Sequence, residues 1–331
     1  MKVCLYGVGA IGGFIGTRLA LTGDCELSAV ARGATLAALR QHGLRLRQGG
    51  ELFSAAVNAS DEPVALGVQD LVLVAVKAPS LPEVAARIAP LIGPTTLVLP
   101  AMNGVPWWFG AGAPALGTEP LQSVDPGGRI AASIALDRVI GCVVHASTYT
   151  SAPGAVEHRM GQGLIIGEPL GGESARVQAL ADLLRRAGFD TSVSADVRRD
   201  IWYKLWGNMT MNPISAITGA TVDRVLDDPL LRGFCSAAMA EAAAVGARIG
   251  CAIDQTSEDR HQITRKLGAF KTSMLQDVEA GRAVELDALV TVVREIAQRV
   301  GLPTPFIDAL LGLARLHGRV HGLYPEASTT A

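Results

Sequence analysis

Near the start of the chain, Gly7, Gly9 and Gly12 stand in the spacing G-x-G-x-x-G. They follow a strand-like run, Lys2–Tyr6, and open a helix-like run, Ile11–Leu21. In that setting each glycine has a job. Gly7 permits a tight turn, Gly9 lets a pyrophosphate approach the backbone, and Gly12 lets the helix pack close to the strand. The pyrophosphate would sit on N–H groups at the helix start, those of Ala10 and Ile11. An NAD site usually carries Asp or Glu about 20 residues further on, to bind the ribose 2′-hydroxyl. Counting from Gly12 reaches Arg32 instead, just after the second strand. A guanidinium there suits a 2′-phosphate, so the expected cofactor is NADP(H). Asp24 and Glu26 lie at the wrong end of that strand to reach the ribose.

Ligands in open α/β sheets bind beyond the carboxyl ends of the strands. Lys77 follows the run Asp70–Val76, and Asn103 follows the run "LVLPAM". Lys77 can contact cofactor or substrate, or can be a lysine extended over a strand end. Asn103 is expected near the nicotinamide, although Asn103-Gly104 also reads as a plain turn pair. Further on, Lys204, Asn208 and Asn212 recur every four residues. On a helix they span an arc of about 80°. One ammonium and two amides on one face can gather round an oxygen-rich small molecule. The stripe Trp202, Leu205, Trp206 and Met209 lies on another face, and Pro213 should kink or restart the helix. Ser273 and Glu285 flank a turn at Gly281; an acid opening a helix is also explained by the helix dipole.

The elements that must position these residues fit a chain of 331 residues, which suggests two domains. Apolar residues make up 49% and charged residues 18%, which argues against extended disorder. A net charge of −2 gives no basic excess, so a nucleic-acid partner is not expected. No uncharged apolar stretch of about 18 residues appears, so no membrane-spanning helix is expected. The apolar N-terminus is broken by glycines and lacks a small-x-small cleavage site, unlike a signal peptide. Five cysteines, widely spaced and without C-x-x-C, read as free thiols in the cytoplasm. His317 and His321 are four apart but lack a third ligand, so no metal site is expected. His145 and His158 read as structural.

The first half alternates strands and helices. Strands are predicted at Lys2–Tyr6, Glu26–Ala31, Asp70–Val76 and Thr95–Leu99, with a helix over Leu81–Leu91. Arg45–Gln48 and Leu52–Val57 form a hairpin-style excursion, and Val143–Thr148 and Leu164–Gly167 extend the sheet. From about Val197 the pattern is helical: Leu230–Gly250, a long Glu258–Ala280, Glu285–Val300 and Phe306–His317, then a loosely held tail over 318–331. The domains expected are 1–195, a Rossmann domain with a mostly parallel sheet, and 196–331, an all-α substrate domain.

These residues resemble the ketopantoate reductase (2-dehydropantoate 2-reductase) family, within the 6-phosphogluconate-dehydrogenase-like group. The matching pieces are "GVGAIGG", "AVARG", "VAVKA", "MNGV", "YKLWGNMTMNPISAITG" and "TSMLQDVEAGRAVELD", in the family's order. The resemblance implies that Arg32 selects the 2′-phosphate and that Lys77 and Asn103 line the cofactor–substrate junction. It implies Lys204 as general acid and Asn208 and Asn212 as ligands of substrate hydroxyl and carbonyl groups. Ser273 would contact the substrate carboxylate, and Glu285 would position substrate and lysine. A cleft between the domains is implied as the site, as is a homodimer through the helical half.

Two stretches depart from the family pattern. After Glu285 the chain reads Leu286-Asp287-Ala288-Leu289-Val290-Thr291, without the usual Asn-Gly end. Trp107, Trp108 and Phe109 form an aromatic run that can shape a pocket mouth or simply pack locally. The reaction implied is hydride transfer from NADPH to C2 of 2-dehydropantoate, giving pantoate for pantothenate and coenzyme A synthesis. Lys204, with a reference pKa of about 10.4, would protonate the ketone oxygen. The departures keep open a reductase of another 2-oxo acid. An NADPH-binding regulator without turnover would need only the N-terminal half, and the presence of Lys204, Asn208, Asn212, Ser273 and Glu285 speaks against it.

Overall fold

A computed structural model describes residues 1–326. The chain forms two compact units. The first comprises Met1–Gly112 and Gly127–Asp200; the second comprises Ala113–Pro126 and everything described from Ile201 onward.

The first unit carries two sheets. Its parallel sheet has the order β5-β2-β1-β6-β7, from β1 (Lys2–Tyr6), β2 (Glu26–Val30), β5 (Asn58–Ser60), β6 (Leu71–Val74) and β7 (Leu97–Pro100). The inner strands are buried almost end to end, as continuous apolar runs require when both faces are covered. Helices α1 (Ala10–Leu21), α2 (Gly33–His42) and α3 (Leu81–Arg87) follow β1, β2 and β6, with α4 (Arg129–Ser133) and α5 (Ala175–Arg186) later in the chain. The second sheet has the order β10-β9-β3-β4, from β3 (Leu44–Gln48), β4 (Glu51–Ala55), β9 (Ala155–Gly167) and β10 (Asp190–Ser194). On the other side of β9 runs β8 (Gly141–Ala152), antiparallel to it.

Val143–Thr148 and Leu164–Gly167 therefore do not extend the parallel sheet. They are parts of a long hairpin in a separate sheet, and one bridge, Val98 to Val139, ties its root to β7. Helix α1 lies between the sheets, and its composition explains how. A Cβ at Gly13 would come 2.6 Å from Val156 Cγ2 on β9, while one at Gly16 would overlap Leu5 on β1. Glycine at these two positions, three residues apart on one side of the helix, lets β9 and β1 both approach it closely. The unit's core accordingly runs through Val3, Leu5, Phe14, Ile15, Leu46, Val156, Ile166 and Phe189.

The second unit is helical: α6 (Val197–Thr218, entering from the first unit), α7 (Val222–Asp227), α8 (Pro229–Arg248), α9 (Ser257–Arg265), α10 (Ser273–Glu279), α11 (Val292–Arg299) and α12 (Pro305–Val320). Three expectations change here. Helix α6 runs through Pro213 as one element, so of the two effects expected there, a kink or a restart, the restart does not occur. Glu258–Ala280 is two helices rather than one, because Gly268 takes φ 62° and ends the first. Residues 318–326 are held rather than loose: α12 continues to Val320, Leu323 is buried, and its carbonyl accepts the Val284 N–H at 3.0 Å. The rest of the expected tail, 327–331, lies outside the described residues.

By length and composition, α8 could cross a membrane. It carries Glu241, however, whose carboxylate accepts the Phe306 and Ile307 N–H groups at 3.0 Å and so caps α12. Trp202 and Trp206 also donate to α8 carbonyls, at 3.2 Å to Ala242 and 2.7 Å to Met239. These bonds are those of a core helix in a packed helical unit.

Candidate functional site

The glycine turn leaves β1 and enters α1. Gly7 has φ 99°, and a Cβ there would come 2.7 Å from Val76 Cγ1 and 2.9 Å from the Ala75 carbonyl oxygen. A Cβ at Gly12 would collide with the carbonyl oxygen of Gly7. Both glycines are thus required by the protein itself. Gly9 is different. It is exposed, and a Cβ on it would meet nothing within 4 Å. It is the N-cap of α1 and supplies no capping side chain, and no acidic residue lies in the first turn. The opening N–H groups of α1, including those of Ala10 and Ile11, have no intrahelical acceptor. An open, uncapped and cation-like helix start fits a dinucleotide pyrophosphate.

The register of the parallel sheet sets the other groups beside this turn. Tyr6 pairs with Val30 and with Val74, and Val74 pairs with Pro100. Gly7, Arg32, Lys77 and Asn103 therefore all leave the same edge of the sheet, each within a few residues of a strand end. Arg32 is exposed at the N-cap of α2. Its guanidinium donates to both carboxylate oxygens of Glu83, at 2.5 and 3.1 Å. Lys77 and Asn103 are half-buried, Lys77 at the entry to the short turn before α3. Glu83, absent from the residues singled out by spacing, has one local signal in the sequence: it is an acid in the first turn of the helix after β6.

In the helical unit, Lys204, Asn208 and Asn212 lie on one face of α6. Trp202, Leu205, Trp206 and Met209 are buried on another, as their spacing predicts. Lys204 and Asn208 are half-buried, and Asn212 is only 5% exposed. Neither carboxamide hydrogen-bonds to another described residue. Amides at such depth ordinarily have a partner, so this face is suited to a polar ligand. Ser273 is exposed at the start of α10, and Glu285 is half-buried between the buried Val284 and Leu286. These two residues stand on either side of the Gly281 turn.

The two departures from the family pattern turn out to be packing. Trp107, Trp108 and Phe109 are all buried, and Trp108 presses on Gly141, where a Cβ would come 3.0 Å from its ring. Arg198 lies 4.8 Å over the Phe109 ring and donates to its carbonyl at 3.1 Å. After Glu285, residues Asp287–Thr291 form a π-helical turn with Ala288, Leu289 and Val290 in the core. Asp287 accepts from Tyr324 at 2.7 Å and from Thr291 at 3.0 Å. Burial and this bond to a carboxylate push the Tyr324 phenol up to about 12.

Among the described residues no cluster of three or more potential ligands could hold a metal. The His317 and His321 rings lie 4.3 Å apart, tilted by 35°, and His158 stacks on Phe14 at 4.7 Å. All five cysteines are free thiols, and burial pushes Cys4 and Cys235 up to about 12.

Known proteins carry the same architecture. A 2-dehydropantoate 2-reductase from Mesorhizobium japonicum is 44% identical over 326 residues, covering 98% of this chain and 100% of its own. The crystal structure of a putative ketopantoate reductase from Ralstonia solanacearum MolK2 superposes with a TM-score of 0.93 at 56% identity. It covers 97% of this chain and 99% of that one. A D-mandelate dehydrogenase solved with NADH and anilino(oxo)acetate shares the fold, with a TM-score of 0.83 at 20% identity over 98% and 100% of the two chains. The family model "Ketopantoate reductase PanE/ApbA" matches residues 3–171, and its C-terminal counterpart matches 196–318. The chain belongs to the ketopantoate reductase family of nicotinamide-dependent oxidoreductases.

Proposed function

We propose that this protein reduces 2-dehydropantoate to pantoate with NADPH, in pantothenate and coenzyme A synthesis. In this reading residues 1–195 hold the dinucleotide and 196–331 hold the 2-oxo acid. The observation that carries the substrate assignment is the 44% identity, end to end, with a protein named for this reaction. Arg32, a cation where an NAD site has an acid, supports the 2′-phosphate. The open backbone at Gly9 supports the pyrophosphate.

When bound, NADPH supplies a hydride to the carbonyl carbon. The chain's own residues manage the charge that this creates. The ketone oxygen becomes an alkoxide, and the Lys204 ammonium stabilises that charge and then gives up a proton to the oxygen. Asn208 and Asn212 offer two amides, each able to donate to a carbonyl and accept from a hydroxyl. Ser273 binds the substrate carboxylate through its hydroxyl. Glu285 positions the substrate and the lysine, while Lys77 and Asn103 fix the nicotinamide end of the cofactor.

The test is NADPH oxidation with 2-dehydropantoate beside a panel of other branched 2-oxo acids. A clear preference for 2-dehydropantoate is expected. Turnover confined to another acid would reassign the substrate while leaving the reductase chemistry in place. The buried positions of Trp107, Trp108 and Leu289 make such a reassignment harder to source from the two divergent stretches.

A further inference from the structure

Arg32 does not stand alone at the end of β2. Its guanidinium is held edge-on by Glu83, with Nη1–Oε1 at 2.5 Å and Nη2–Oε2 at 3.1 Å. This two-point geometry is the one a guanidinium uses to bind a phosphate. The same carboxylate lies 4.0 Å from Arg87, one helical turn along α3. Arg87 is itself anchored, donating to the Asp61 carbonyl at 2.9 Å and to Glu62 at 3.0 Å. Arg32 follows β2 and Glu83 follows β6, and β1 lies between those strands in the sheet. The ion pair thus spans the strand end from which the glycine turn departs.

We propose that Glu83 is a cofactor-specificity residue, whose carboxylate competes with the 2′-phosphate of NADP(H) for Arg32 and narrows the preference over NAD(H). The proposal rests on Arg32 as reader of the 2′-phosphate. A phosphate arriving at Arg32 must take both donors from Glu83 and lie beside a second anion. Arg87 offers the displaced carboxylate another cation without a change of helix. NAD(H) meets no such competition. It presents a 2′-hydroxyl, which can donate to a carboxylate as it does where an acid ends the second strand. Glu83 therefore acts against one cofactor and not the other.

The experiment measures NADP⁺ and NAD⁺ binding to the full chain by titration calorimetry. It compares the native protein, Glu83→Gln, Arg32→Ala and the double variant. Glu83 is a half-exposed surface residue, so Glu83→Gln leaves the fold intact. Exposed ion pairs are weak, so NADP⁺ affinity should rise by about two- to fivefold in Glu83→Gln. NAD⁺ affinity should stay the same or fall. Arg32→Ala should lower the NADP⁺/NAD⁺ ratio, and in that background Glu83→Gln should change nothing. A lowered ratio in Arg32→Ala with no gain in Glu83→Gln would overturn the competition and leave the reader assignment standing. A gain that persists without Arg32 would also overturn it, since the carboxylate would then act on the phosphate directly. An unchanged ratio in Arg32→Ala would remove the reader, and this proposal with it.

Discussion

Lys204, Asn208 and Asn212 place one cation and two amides on one face of a helix whose other faces are packed. Lys204→Ala should lower kcat by about 10²–10⁴-fold, the usual contribution of a positioned acid, while leaving NADPH affinity near native. Near-normal turnover in steady-state assays would remove the lysine from the chemistry. Glu285→Gln should lower turnover or raise KM; an unaltered enzyme would leave Glu285 as a helix-start acid. The glycines separate binding from folding more sharply. Gly9→Ala adds a methyl that touches nothing in the protein, so it should preserve Tm and weaken NADPH binding. Gly12→Ala drives a methyl into the Gly7 carbonyl and should cost about 1–3 kcal/mol or more, lowering Tm as well. Equal thermal shifts in the two variants would contradict the division. These residues were legible in the sequence because each belongs to a short, local spacing. Glu83 was not, since its partner Arg32 is 51 residues away and only the sheet order brings them together.

At the scale of elements, the parallel strands were legible because burial on both faces makes them unbroken apolar runs. The long hairpin of β8 and β9 was not, because its outer half ("STYTSA", "EHRMGQ") is exposed or half-buried and lacks a clean pattern. Its pairing also skips register at three points. The joint between α11 and residues 113–126 was equally hidden. Glu295 on α11 accepts the Gln122 and Ser123 N–H groups at 2.8 Å, the Ser123 hydroxyl at 2.6 Å and Arg299 at 2.7 Å. Arg299 in turn donates to the carbonyls of Glu119 and Pro120. Burial works to raise the Glu295 carboxyl, but the Ser123 hydroxyl, the two backbone donors and Arg299 outweigh it and hold it below its usual range. Glu295→Ala leaves those donors without an acceptor and should cost about 1–3 kcal/mol. It should also open residues 113–126 to limited proteolysis. Native Tm and an uncut segment would show the joint to be dispensable.

For the whole molecule, the buried acids and histidines set a direction for its response to pH. His261 is 1% exposed, neither ring nitrogen has a hydrogen bond, and burial holds its pKa below the ordinary 6.5. The unfolded chain therefore binds a proton there before the folded one does. That contribution is whole above about pH 6.5 and is lost as the pH falls through the folded value. Glu295 and Glu168, the latter held down by its hydrogen bonds with Arg176 against the pull of burial, add a second loss below about 4.5. Tm should thus decline in two stages between pH 8 and pH 4, and His261→Gln should flatten the first. A profile unchanged by that substitution would mean that the imidazole titrates as it does in the unfolded chain.

The return of residues 113–126 to the helical unit also carries a consequence for how the protein is made. Glu295 waits in the chain 173 residues behind its partner Gln122. During synthesis the segment emerges long before α11 exists to receive it, and closing so large a loop carries an entropic cost that local contacts do not offset. This joint can close only after α11 has left the ribosome. A fragment beginning at 196, where the family's C-terminal half begins, would lack a piece of its own core-facing wall. Such a fragment should recover stability when a synthetic peptide spanning 113–126 is added, in the manner of two-part complementation.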